Sequence, residues 1–426
     1  MSSETKDGAE ALESSGRRTV LKAGAAAAGA SVLGFPAIVR AQSDKIKIGH
    51  LTPLSGFLGT VGGYARLGVN LALEEVNQAG GIMGRQVDLI AEDSVNPSVA
   101  STKAQRLLEQ DKVALLLGEI NSASALTISQ VAGRNQKVFF STGARSDALR
   151  GKSCNRFMFH MDTSTTANVK GVGTALVRDR MIQGKKLFTL TADYVFGHDL
   201  LKAAKGFIGA HQGTLVGDEL IATDVTDFSP YLLKIRQAQP DVVCSNLAGN
   251  QVTTFLKQYA EYGLKYPIVG FNLNTADAWG AGYDNFGGIW PMVWYHTLDV
   301  PSSRAFVEAF IKKNGKPPEH HAWTDYLAMK VVAQSLNEIK TLDPMKLIEH
   351  LEKGAEFDIL KARKGHFRNW DHQMLQEEYT VTLKTPKSAV KDKWDILQLG
   401  PAVPAADQPL DVVATTREEN NCTAWM

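Results

Sequence analysis

From residue 45 onward the chain alternates two apolar rhythms. Residues 45–51 alternate polar and apolar side chains with period two, the mark of a strand. Residues 52–63, rich in Pro, Gly and Ser, read as a loop. Residues 64–79 then place Leu67, Leu71, Ala72, Val76 and Ala79 on a helical stripe that Gly80-Gly81 stops. A strand at 86–92, a helix at 98–110 and a continuous apolar strand at 113–117 follow. Such an unbroken run suits a parallel sheet covered on both faces. A helix at 124–134 and a strand at 138–140 complete one doubly wound α/β lobe.

A second series repeats the rhythm: helices at 165–180, 197–211, 231–238 and 250–262 alternate with strands at 186–191, 214–221, 241–245 and 268–270. Helices at 303–313, 324–340 and 344–353 are expected to pack back on the first lobe. A strand-like stretch at 379–384 and a Pro-rich tail from Pro401 end the chain. The pattern therefore predicts lobe 1 from 45–160 plus 297–367, lobe 2 from 161–296 plus 372–395, and a 396–426 tail returning to lobe 1. The chain then crosses the waist near 159–162, 294–297 and 367–372. Several crossings at one waist make a hinge that a ligand in the crevice can close.

The first 41 residues read as an address. Arg17-Arg18 precede a short Ala/Gly/Val/Leu run that ends at Ile38, and small residues lead to Ala41. This matches a twin-arginine export signal cleaved after Ala41. The run is short and contains Pro36, which favours a cleaved signal over a permanent anchor. Beyond it the chain carries 41 basic and 41 acidic residues, so charge recommends neither nucleic acid nor an anionic membrane as a partner. Of the three cysteines, Cys244 lies in a predicted buried strand. In an oxidising compartment Cys154 and Cys422 are the favoured pair, although spacing alone does not fix a pairing.

Several stretches carry a resemblance: 48–56 (IGHLTPLSG), 68–77 (GVNLALEEVN) with Gly80-Gly81-Ile82, Gly118 with Ser122 and Ser124, 141–144 (STGA), 193–197 (DYVFG) and 227–229 (DFS). In this order and spacing the chain resembles, over almost all of its length after the leader, the solute-binding proteins of branched-chain amino acid ABC transporters, the Leu/Ile/Val-binding family. Cys154, the run 191–198 and a cysteine near the C-terminus are similar to a twin-arginine-exported branch, in which the outer cysteines bridge. The resemblance implies a type I periplasmic-binding-protein fold, two α/β lobes on a three-crossing hinge. It also implies a periplasmic, non-catalytic monomer that hands a small-molecule solute to an ABC permease, with no cofactor.

Open α/β sheets bind ligands beyond the carboxyl ends of their strands. The resemblance implies a solute carboxylate held by hydroxyl and backbone N–H groups at Ser122, Ser124, Thr142 and Gly143. A helix start there would favour an anion, unless one of the serines is simply the cap. Phe57, Tyr194, Phe196 and Tyr295 are expected to form the apolar wall, with Gly249, Asn250 and Asn272 at strand ends of lobe 2. Asn272 departs from the family, where an acidic residue at this position would neutralise a ligand ammonium. The expected solute is accordingly a carboxylate, aromatic or aliphatic, without an α-ammonium. Asp193, Asp162, Glu119 or Asp277 could restore that charge, and an amino acid is the alternative ligand. A ligand-sensing partner of a membrane receptor is the alternative role.

An enzyme finds little support. No Gly-x-Ser-x-Gly elbow, Gly-x-Gly-x-x-Gly loop or phosphate loop occurs. His320-His321 is not expected to bind metal, because adjacent side chains on a regular element point apart.

Overall fold

The structure is a computed structural model, described here for residues 45–420 and 422–423, so the export-signal expectation for residues 1–41 lies outside the described residues. The first sheet is built from β1 (Ile46–Thr52), β2 (Val87–Asp93), β3 (Leu116–Gly118), β4 (Phe139–Ser141) and β5 (Met158–His160). All its pairings are parallel, in the order β2-β1-β3-β4-β5. Helices α1 (Gly59–Gln78), α2 (Pro97–Glu109) and α3 (Ser122–Arg134) connect the first four strands. Leu116, Leu117, Phe139 and Phe140 are wholly buried, as a sheet covered on both faces requires.

The second sheet repeats the plan with α4 (Thr165–Arg178), β6 (Lys186–Ala192), α5 (Val195–Ala210), β7 (Thr214–Ile221), α6 (Ser229–Ala238), β8 (Val242–Asn246), α7 (Asn250–Glu261) and β9 (Ile268–Gly270). Its order is β7-β6-β8-β9, again parallel throughout. The short helix α8 (Thr275–Ala281) and β10 (Trp290–Met292) follow. Then come α9 (Pro301–Asn314), α10 (His320–Ile339) and α11 (Pro344–Glu352). Helix α10 lies along α1, so the chain does return to the first sheet.

Three differences from the sequence reading bear on the site. Helix α1 begins at Gly59 and takes in Gly62, which had read as loop. A Cβ at Gly62 would stand 1.6 Å from the Pro53 carbonyl oxygen, and one at Gly68 would stand 2.0 Å from that of Ala322. These glycines let backbones touch inside a helix, and they do not loosen it. The second difference is at the third crossing, expected at 367–372. There β12 (Gly365–Phe367) pairs with β11 (Glu356–Phe357) and β13 (Met374–Leu375) in a small antiparallel sheet. From there the chain runs beside the first crossing over residues 372–378: His160 N donates to His372 O, Gln376 to the Met161 carbonyl and Thr163 to Glu378.

The third difference is the tail. Strand β14 (Glu378–Leu383) pairs on one side with β10 and on the other with β15 (Leu397–Val403), antiparallel to both. The stretch from 396 thus starts as a strand beside lobe 2 before it reaches the waist, where Arg368 donates to Thr415 O. It ends in lobe 1: Cys422 is disulfide-bonded to Cys154, and Cys244 is a buried free thiol whose pKa burial pushes up to about 12.

Candidate functional site

Loops at the carboxyl ends of both sheets meet at the waist. Gly249 has a φ of +56°, and a Cβ there would stand 2.1 Å from the carbonyl oxygen of Phe57, so backbone meets backbone across the gap. Phe57 meets Tyr194 edge to face at 5.5 Å, and Tyr194 lies 5.7 Å from Phe196. Leu58, Ile120, Gly143, Arg145, Tyr194, Phe196, Ala248, Asn272, Asn274 and His321 surround a residual space of about 20 Å³. That is about the room one water needs, so a solute enters only when the halves part.

At the centre stands Arg145, 3% exposed. Its Nε donates to Asp162 Oδ2 at 2.8 Å, its Nη1 to Asn272 Oδ1 at 2.7 Å, and its Nη2 to His320 Nε2 at 2.5 Å. A guanidinium has five N–H donors, so two remain beyond these three partners. Burial opposes ionisation of Asp162, yet Arg145 and the histidines outweigh it and hold its pKa below the usual carboxylate range. Asn272 passes the chain on, donating to Leu247 O at 3.1 Å. The amide that replaces a family acid is therefore the acceptor for a lobe 1 arginine.

Behind Arg145 the side chains of His320 and His321 approach each other, ring centroids 3.9 Å apart. The expectation that they diverge fails because Glu319, the cap of α10, sits between them. His320 Nδ1 is 2.6 Å from Glu319 Oε1, and His321 Nδ1 is 3.1 Å from Glu319 Oε2. Burial works against the Glu319 charge, but the two histidines drive its pKa far below normal. Burial in turn lowers His320 to about 4, so its ring is neutral near pH 7. Asp162, His320 and His321 present ligand atoms within 4.8 Å of one another. Arg145 already donates to two of these three residues, so a cation of the protein occupies the place a metal would take.

The expected carboxylate cradle has a different internal economy. The cap of α3 is Asn121, not a serine, and its side chain accepts from the N–H of Ala123 and of Ser124. Glu119 accepts from Ile120 N and Asn121 N, and Ser122 Oγ accepts from Ser146 N at 3.3 Å. The amides at this helix start are largely spent inside the protein. Thr142 Oγ1 is buried without a partner among the described residues. Gly143 lies against His321, Asn250 is exposed at the start of α7, and Tyr295 donates its hydroxyl to Trp394 O at 2.7 Å, within lobe 2 packing. Phe57, Gly143, Tyr194, Phe196, Gly249 and Asn272 thus converge on the gap. Arg145 and His321 converge there too, and the sequence reading did not select them. Their only signals were an arginine directly after Ser141-Thr142-Gly143-Ala144 and a histidine pair just ahead of the predicted helix at 324.

A family model described as "Periplasmic binding protein" matches residues 45–389. Among curated proteins, the chain is 28% identical over 362 residues to the "Leu/Ile/Val-binding protein homolog 7" of Brucella suis, covering 80% of this chain and 88% of the relative. Among solved structures, a periplasmic binding protein from Burkholderia mallei superposes with a TM-score of 0.82 at 26% identity, over 90% of this chain and 100% of the other. A solute binding protein of an ABC transporter from R. palustris, in complex with benzoate, superposes with a TM-score of 0.76 at 21% identity, over 89% and 100%.

Proposed function

Because this chain belongs to the periplasmic binding protein family, whose members capture solutes for ABC importers, we propose that its own solute is a small organic carboxylate without an α-ammonium. Its fold is the type I periplasmic-binding-protein fold, and the importer's permease is the partner it serves. One observation carries the reading of the ligand: Arg145, a buried cation from lobe 1, is held by the amide of Asn272 in lobe 2. Asp162 is already paired with that cation, so an ammonium entering beside the guanidinium would lack that carboxylate as its partner, which is costly. A carboxylate would instead take the two remaining guanidinium N–H groups in a charge-assisted pair.

In this reading the apolar part of the solute rests on Phe57, Tyr194 and Phe196, with Thr142 and Gly143 beside its charged end. Ser122 and Ser124 support the loop, and Gly249 sets how tightly the lobes shut. The benzoate held by the R. palustris protein, which shares this fold, is a carboxylate without an ammonium. Residues 1–41 serve as the twin-arginine export signal. Replacing Arg17 and Arg18 by lysine should leave the protein in the cytoplasm on cell fractionation, and unchanged export would refute that assignment.

Calorimetric titration separates the ligand classes. Benzoate or 4-methylpentanoate should bind while leucine does not, and Arg145→Met should weaken binding about 10- to 100-fold. Tight leucine binding with no response to the deaminated acid would contradict the proposal.

A further inference from the structure

Resting on the carboxylate reading, we propose that His321 makes the site selective for a 2-hydroxy acid by accepting a hydrogen bond from the hydroxyl next to the carboxylate. Glu319 fixes the chemistry of the His321 ring. The same oxygen, Glu319 Oε2, accepts from the His321 backbone N–H at 2.7 Å and lies 3.1 Å from Nδ1. An ionised carboxylate only accepts, so Nδ1 carries the proton, and in the neutral ring Nε2 is left with a lone pair.

That lone pair has no partner. The His321 side chain is 1% exposed and borders the gap between the lobes, yet no hydrogen bond reaches its Nε2 among the described residues. The space before it is kept clear by Gly143, where a Cβ would stand 2.9 Å from Nε2 and 2.8 Å from Cδ2. His320 does not compete for this role, because its Nε2 accepts from Arg145. The gap it faces has about the room of one water, which can donate to Nε2 until a solute displaces it and has to supply that bond instead.

Distance then selects the position of the donor. The ligand atoms of His321, His320 and Asp162 lie within 4.8 Å of one another, and Arg145 donates to the last two. A carboxylate seated on Arg145 brings a hydroxyl on the adjacent carbon within reach of His321, whereas a hydroxyl at the far side of an aromatic ring points away from it. Among groups of similar size at that carbon, a methylene leaves Nε2 dry and unpaired, a carbonyl oxygen has no proton to give, and an ammonium sets a charge beside the guanidinium. The hydroxyl alone donates without charge.

Two isosteric series test this on the purified protein. One is 2-hydroxy-4-methylpentanoate, 4-methylpentanoate, 4-methyl-2-oxopentanoate and leucine; the other is 3-phenyllactate, 3-phenylpropanoate, phenylpyruvate and phenylalanine, with lactate and mandelate as size controls. In at least one series the hydroxy acid should bind about tenfold or more tightly than its deoxy and oxo analogues. His321→Phe should erase that preference, and His321→Gln, which keeps an acceptor oxygen, should restore part of it. Equal binding of hydroxy and deoxy acids, both weakened by Arg145→Met, would overturn the hydroxyl selectivity and leave the carboxylate reading standing. Leucine or phenylalanine as the tightest ligand would overturn both, as would binding by none of these acids. The wild-type series decides the matter even if a His321 variant fails to fold.

Discussion

Arg145 shows why a buried functional residue is hard to read from one sequence. Nothing in its neighbours along the chain separates it from a surface arginine; its partners Asp162, Asn272 and His320 lie 17, 127 and 175 residues away. Asn121 is the opposite case. Asn is among the strongest caps, so Asn121-Ser122-Ala123-Ser124 carries the signal in the sequence, masked by two serines of similar capping strength. Asn272 was legible as a departure, and only the fold revealed that its amide serves the arginine. Glu119 carries a prediction of its own. Burial pushes its pKa from an ordinary 4.5 up to about 8, so the folded protein keeps a proton that the unfolded chain releases. Stability from this group is therefore full below about pH 4.5 and falls as pH rises toward 8. Asp277, raised by burial to about 7, acts in the same direction. Glu119→Gln, which cannot release the proton and can still accept from Ile120 and Asn121, should gain stability over wild type between pH 5 and 8 in urea denaturation. A constant difference across that range would rule this out.

At the scale of elements, the alternation of strands and helices was readable because long amphipathic segments carry an unmistakable period. Strands 214–221 and 268–270 agree with the sequence reading at both ends. What escaped was short: α8 spans seven residues and β10 three, too few to display a period. Strand β15 was hidden for another reason, since Gly400, Pro401 and Pro404 made its end look like tail. Helix α1 escaped in part because glycine reads as loop while serving here as contact surface. Gly68→Ala should therefore be destabilising despite alanine's better helix propensity, because its Cβ would press on the Ala322 carbonyl of α10. We expect a loss of about 1–3 kcal/mol in denaturant melts. A neutral or stabilising result would show that α1 and α10 can separate freely.

Across the whole molecule, the lobes exchange carboxylates at the waist. Asp147 of lobe 1 accepts from Thr165 Oγ1 at 2.6 Å and Thr166 N at 3.1 Å at the start of α4, close to the crossing at Asp162. Asp199 of α5 in lobe 2 accepts in return from Ser146 Oγ and from Ala148 N at 2.9 Å. Both contacts hold the segment Ser146–Ala148, but the first lies next to the crossing in sequence whereas the second reaches α5, so the second is expected to open when the lobes part. Asp199→Ala should then speed dissociation of a bound acid about tenfold in stopped-flow experiments, equally for every ligand, since it acts on closure and not on recognition. An unchanged off-rate would mean that Asp199 does not hold the lobes shut. Neither carboxylate contact follows from local pattern, because each joins segments distant in the chain, whereas the Cys154–Cys422 bridge is the pair the sequence reading favours.

The central claim is that the two halves enclose a solute whose negative end meets Arg145. A crystal structure of the protein purified gently enough to keep its solute, or soaked with the tightest acid found, addresses it directly. The account predicts a carboxylate between the lobes within hydrogen-bond distance of the Arg145 guanidinium. A solute bound outside that gap, or one whose ammonium faces Asp162 with Arg145 turned away, would contradict it.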